Sequence, residues 1–183
     1  EDKTYSKIGG FVEDFTFNPK DFRIPPKMAD QIDLVQQLAL TSVADALTDA
    51  GYPKGDGIVH KDRVAVILGN SMGGESSDDH TVRTRIPEVI RVVKNGAVFP
   101  TLNEDTRTQL LSEIEQTKTH LPTINEDTMP GELANVIAGR IANAFDFNGP
   151  NFTVDAACAS SMAAIQSAVY GLRNGTFDVA ISG

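Results

Sequence analysis

The residues that most restrict the fold are the final stretch, "FTVDAACASSMAAIQSAVYGLRNGTFDVAISG", residues 152–183. "FTVDAA" is short and apolar, as a strand is. "ASSMAAIQSAVYGLRNG" is rich in Ala and closes on Gly175, as a helix does. "FDVAISG" returns to strand character. Strand, helix and strand within about 30 residues form a βαβ unit, whose two strands lie parallel with the helix against the sheet. The chain is therefore expected to be α/β. "RVAVILGN", residues 63–70, is a continuous apolar run ending in Gly and predicts one more strand, buried on both faces.

Other segments fill in around this unit. Met28, Ile32, Val35, Leu38, Val43, Leu47 and Ala50 recur at helical spacing and predict one long helix, ended by Gly51 and Pro53. In "GELANVIAGRIANAF", Leu133, Val136, Ile137, Arg140, Ile141 and Phe145 share one helical face, and "DFNGPN" is a turn. Residues 8–26 read as an irregular segment pinned by Phe11, Phe15, Phe17 and Phe22. Between 71 and 130 the pattern is weak: a short helix after Pro87, and a polar helix over 104–119 capped by Asn103. That stretch is expected to be an insertion on the core scaffold. No repeat or low-complexity tract is visible.

Composition narrows the function. A formal net charge of −9 disfavours nucleic acid as a partner, because phosphate binding needs clustered Lys and Arg. No run of about 18 apolar residues predicts a membrane span. The single cysteine forms no intramolecular disulfide and fits a reducing, cytoplasmic setting. The chain starts on Glu1 without an apolar signal core and stops inside the strand "DVAISG", so it is expected to be a piece of a longer polypeptide.

That cysteine, Cys158, lies where the 152–157 strand gives way to a helix. An arbitrary lone cysteine is a small buried hydrophobe. At a strand-to-helix turn, the sulfur instead sits near unpaired backbone N–H groups and the positive end of the helix dipole, both of which favour thiolate. Ala156, Ala157, Ala159 and Ser160 are small enough to admit a substrate. A rival is "GNSMG", residues 69–73, which matches the Gly-x-Ser-x-Gly elbow of serine hydrolases, with Asp105 and His120 downstream in the required order. The polar run after Ser71 starts a helix poorly, so a Gly-rich turn is the preferred reading, and a serine hydrolase is the alternative. The loop lacks the Lys of a phosphate-binding P-loop. His60, His80 and His120 are expected in solvated loops, and no second ligand pair beside His80 supports a metal. Asp155 is expected to interact locally at the strand end. The Ala164/Ala168 spacing suggests close helix packing and no cofactor.

"GPNFTVDAACASSMAAIQSAV" resembles the nucleophile segment of the β-ketoacyl synthases, condensing enzymes of the thiolase superfamily. "GELANVIAGRIANAFDFNGPNFTVDAACASS…FDVAISG" follows that family's order of elements. "IGGFVEDF" and "QIDLVQQLALTSVADALTDAG" resemble the opening loop and first long helix of ketosynthase domains in polyketide and polyunsaturated-fatty-acid synthases. The resemblance implies a thiolase-like fold, with residues 1–183 forming the N-terminal part of the domain and its opening strand trimmed. It also implies that Cys158 takes an acyl group from a carrier-protein thioester and that its backbone N–H forms half of an oxyanion hole. The expected partners are acyl carrier protein, other synthase domains and a second copy of the chain. Phosphopantetheine would arrive on the carrier, with no cofactor or metal bound directly. The family's two catalytic histidines follow the cysteine, whereas all three histidines here precede it. A non-catalytic dimerisation or docking fragment remains a further alternative for the isolated chain.

Overall fold

In the computed structural model, which describes residues 5–183, the apolar run becomes β1 (Val64–Gly69), the middle strand of a three-stranded sheet. β2 (Asn151–Val154) and β3 (Val179–Ser182) flank it, both parallel, with Val66 opposite Asn151 and Val64 opposite Val179. The helix between β2 and β3 is Ser160–Arg173 (α7 in chain order) and crosses over β1.

The central position explains the unbroken hydrophobicity of β1. Side chains alternate across a strand. Val64 and Val66 enter one core, built with Leu40, Val43 and Leu47 from Leu34–Asp49 (α2) and with Ile137, Ile141 and Phe145 from Val136–Phe145 (α6). Ala65 and Ile67 enter the other, with Ala164 and Ala168 of α7 and Phe177. Both faces being apolar, polarity alone does not set the register of this strand; side-chain size does. The small residues Ala65, Ala164 and Ala168 let α7 lie close. Gly171 continues that contact, since a Cβ there would stand 2.2 Å from the Phe177 ring. Arg63 closes the start of the sheet with two hydrogen bonds to Asp178, and these hold the Asp178 carboxyl below the usual carboxylate range.

Several expected elements differ. The long helix from Met28 is split into Pro26–Ala29 (α1) and α2. Asp33 makes the break: its side chain accepts from Val35 N, and its own N–H donates to Gly131 O instead of continuing a helix. The buried face is Gln36, Leu40, Val43 and Leu47, and Leu38 is only half-buried. The expected short helix after Pro87 is part of a 21-residue helix, Glu75–Asn95 (α3), with Pro87 inside it. Buried Ile86, and Arg83 donating to Lys118 O and Leu121 O, hold α3 through the lost backbone bond. Asn103 does cap the polar helix, α4 (Glu104–Gln116), by accepting from Thr106 N; a 3-10 turn, Thr117–His120, follows.

Leu133 drops out of the expected helical face, because Thr128–Glu132 (α5) ends before it. Gln36 makes that break by donating to Pro130 O and Leu133 O. Arg140 leaves the apolar face for Gln36 Oε1 and Pro130 O, and burial pushes its guanidinium down from the ordinary value. Of the four expected phenylalanine pins, Phe17 and Phe22 stack with centroids 5.3 Å apart, and Phe22 meets Phe145 edge-on. Phe15 is half-buried, while Phe11 is 80% exposed and pins nothing.

Candidate active site

The turn between β2 and α7 is held from both ends. Asp155 Oδ1 accepts from Ala157 N at 3.0 Å, the local role expected of it. Ser160, buried at the first turn of α7, accepts from Ala156 N through Oγ at 2.9 Å and donates to Ala157 O at 2.6 Å. Between these clamps Ala157 has φ +49, a left-handed conformation that costs a residue with a Cβ roughly 1–2 kcal/mol. The side-chain bonds on either side keep it there. Cys158 follows in a single 3-10 turn, Ala157–Ala159, with an exposed thiol.

Two further features shape the site. The N-cap of α7 is Ala159, and no side chain caps the helix; the N–H of Ala159 donates to Ala156 O and that of Ser160 to Ala157 O, while the positive end of the helix dipole faces the turn. Gly69 at the end of β1 packs on the same helix start: a Cβ there would lie 2.3 Å from the backbone of Ser160 and Ser161. Asn70 N donates to Val154 O, so the loop leaving β1 begins beside the cysteine turn. The arrangement offers an accessible sulfur at the start of a helix, open to an acyl carbonyl carbon. Cys158 and Asp155 stand at the strand-to-helix turn, where the sequence pattern places them. The clamping role of Ser160 and the contact at Gly69 are not expected from it, although a Gly at a strand's C-terminal end was a visible signal.

The rival candidates fare differently. A helix does start soon after Ser71, at Glu75, contrary to the expectation from its polar sequence. Capping from a distance by Asp33, which accepts from Ser76 N, supplies what that sequence lacks. Ser71 is exposed, and among the described residues no hydrogen bond joins it to Asp105, His120 or any other histidine. His80 is not in a solvated loop. It lies in α3, 5% exposed, with Nδ1 2.9 Å from Glu132 Oε2. His60 and His120 are exposed as expected. Among the described residues no group of three or more His, Cys, Asp or Glu is placed to hold a metal, and no helix is long and apolar enough to cross a membrane.

The family model for the β-ketoacyl synthase N-terminal domain matches residues 1–183. This chain belongs to the β-ketoacyl synthase family. The ketosynthase chain is 33% identical over 184 aligned residues to a polyunsaturated fatty acid synthase polypeptide of Thraustochytrium sp., covering 100% of this chain and 6% of that protein. It is 32% identical over 179 residues to the non-reducing polyketide synthase gsfA of Penicillium aethiopicum, covering 97% of this chain and 8% of that one. The oxazolomycin ketosynthase domain OzmH KS7 of Streptomyces albus JA3453 superposes with a TM-score of 0.65 at 24% identity, over 98% of this chain and 24% of that chain. The α/β, thiolase-like fold expected from the sequence is thus the fold observed. The ketosynthase chain spans a small part of the synthases it matches.

Proposed function

We propose that this chain carries the nucleophile of a condensing enzyme, an acyltransferase that makes β-ketoacyl thioesters in polyketide or fatty-acid synthesis. The observation that carries the reading is the exposed Cys158 at the uncapped start of α7. In the first half-reaction, Sγ attacks the carbonyl carbon of an acyl-phosphopantetheine thioester on acyl carrier protein. The backbone N–H of Cys158 supplies half of the oxyanion hole. The carbon–sulfur bond to the carrier breaks, and its thiol leaves with a proton. In the second, a malonyl-type extender on a carrier loses carbon dioxide, and its α-carbon attacks the acyl-cysteine. A carbon–carbon bond forms, and the cysteine sulfur is expelled. The three histidines are engaged or placed elsewhere, so the groups that stabilise the carbanion are proposed to lie in the rest of the domain. No cofactor is proposed to bind the chain directly, and a cytoplasmic setting suits a free exposed thiol. Residues 71–130, carrying α3 and α4, are read as an insertion on the scaffold, and 131–183 as the nucleophile-bearing segment.

The test uses the complete domain, treated separately with a thiol alkylator and a fluorophosphonate, with the adducts mapped by mass spectrometry. Cys158 is expected to be alkylated and Ser71 to stay unmodified, with Cys158→Ala losing all acyl transfer and Ser71→Ala keeping its own folded structure and acylation. A stable adduct on Ser71, with a fully active Cys158→Ala domain, would turn the reading to a serine hydrolase.

The complete domain is also proposed to be a homodimer. Among the described residues β2 pairs only with β1, leaving its outer edge open, and Phe152 on it is exposed. An apolar open edge is a pairing hazard unless covered, and a second copy covers it symmetrically. Phe152→Asp or Val154→Lys is expected to weaken association by about tenfold or more in sedimentation at micromolar concentration. A monomeric and fully active wild-type domain would refute the dimer.

A further inference from the structure

We infer that Asp33 is a positioning residue for acylation of Cys158, acting through the loop Asn70–Gly74; the inference rests on the condensing role proposed above. The near end of that loop is fixed at the cysteine turn, by Asn70 N donating to Val154 O and by the Gly69 contact with the start of α7. The far end is fixed by Asp33. Gly74, the N-cap of α3, has no side chain to cap that helix. Asp33 Oδ2 caps it instead, accepting from Ser76 N at 2.9 Å across 43 residues of sequence. Its Oδ1 accepts from Val35 N at 2.8 Å and caps α2. The carboxylate lies so close to Gly74 that a Cβ there would be 1.8 Å from Oδ1. Asp33 itself is 1% exposed, with its N–H bonded to Gly131 O.

A carboxylate has two acceptor oxygens, and here each accepts one N–H from the start of a different helix. An amide or a hydroxyl has one acceptor oxygen and serves one helix only. Between the two anchors only Ser71, Met72 and Gly73 are exposed, so the seat of α3 on Asp33 sets where these three residues stand relative to the cysteine turn. The sequence shows Asp33 as an ordinary polar residue within a helical pattern. Its double role exists only because the fold brings the starts of α2 and α3 together.

The complete domain is compared with Asp33→Asn, Asp33→Ser and, as a control, Asn103→Ala, which removes the cap of α4. Asp33→Ser keeps a good cap for α2 but does not reach Ser76. Three quantities are measured: single-turnover acylation of Cys158 by an acyl-pantetheine thioester, alkylation of Cys158 by iodoacetamide, and the folded fraction by circular dichroism. Both Asp33 variants are expected to slow acylation by about tenfold or more at saturating thioester, as a displaced site does. Alkylation per folded molecule is expected to stay within about twofold of wild type, because a small reagent does not need the loop in place. The control is expected to change neither rate. Acylation and alkylation falling together, acylation at the wild-type rate in Asp33→Ser, or loss of folding in both Asp33 variants would overturn the inference. Failure of the wild-type domain itself to be acylated would overturn the condensing reading instead.

Discussion

Offered acyl- and malonyl-carrier protein, the 183-residue chain alone is expected to yield no β-ketoacyl thioester, while the complete domain yields it. Condensation requires groups that stabilise the carbanion formed on decarboxylation, together with a full oxyanion hole. Removing a single donor of that kind costs about 10²–10³ in rate. His80 is buried against Glu132, His60 stands on the surface just before the 3-10 turn Lys61–Arg63, and His120 ends the surface 3-10 turn Thr117–His120; among the described residues none hydrogen-bonds to the turn at 155–160. Self-acylation of Cys158 is expected to survive weakly, because the uncapped start of α7 belongs to this chain. The same helix predicts a second symptom. Met162, Ile165, Val169 and Leu172 recur at steps of three and four and are exposed, on a different face from buried Ala164 and Ala168. An apolar helix face of this kind needs a cover. The isolated chain is expected to bind an apolar dye and to aggregate, and the complete domain, as a closed dimer, to do neither. Mass spectrometry decides the main point: robust product from the chain alone would mean that the carbanion is stabilised by residues already described.

Gly69→Ala in the complete domain is expected to slow acylation of Cys158 about a hundredfold, the scale of a misplacement near 1 Å. The added methyl would meet backbone atoms of Ser160 and Ser161 at 2.3 Å, and backbone in a helix start gives way only if the helix moves. Overpacking of this kind also lowers stability by roughly 1–3 kcal/mol. Gly175→Ala separates the two effects. Gly175 has φ +66 but open space around its missing Cβ, so its replacement costs stability by about 1 kcal/mol and leaves acylation per folded molecule unchanged. Chemical denaturation gives the stability, and single-turnover acylation gives the rate. A Gly69→Ala domain acylated at the wild-type rate would show that the β1–α7 contact does not position the cysteine.

Much of this protein was legible from local pattern. The β2–α7–β3 unit followed from residues 152–183, because strand and helix periodicities there are short-range properties and a crossover of that length permits one pairing direction. β1 followed from an unbroken apolar run, since a strand buried on both faces has no polar side to show. Cys158 could be placed at a strand-to-helix junction, and Asn103 at a helix start, for the same local reason.

What local pattern did not carry was every feature made by groups distant in sequence. Asp33 ends one helix and starts another because Gly131 O and Ser76 N arrive from far along the chain. Pro87 stays inside α3 because Ile86 is buried and Arg83 finds the carbonyls of 118 and 121. His80 is buried because Glu132 meets it, and Arg140 leaves the apolar face because Gln36 accepts from it. Even the seat of Cys158 depends on Gly69 allowing β1 and α7 to touch. Local pattern carries the α/β class, the parallel βαβ unit and the cysteine at its turn, because periodicity and turn chemistry act over a few residues. The helix breaks, the fate of the buried polar groups and the Asp33 cap on α3 belong to the tertiary fold. Those are settled by which distant hydrogen-bonding group reaches a buried partner, and no stretch of neighbouring residues encodes that alone.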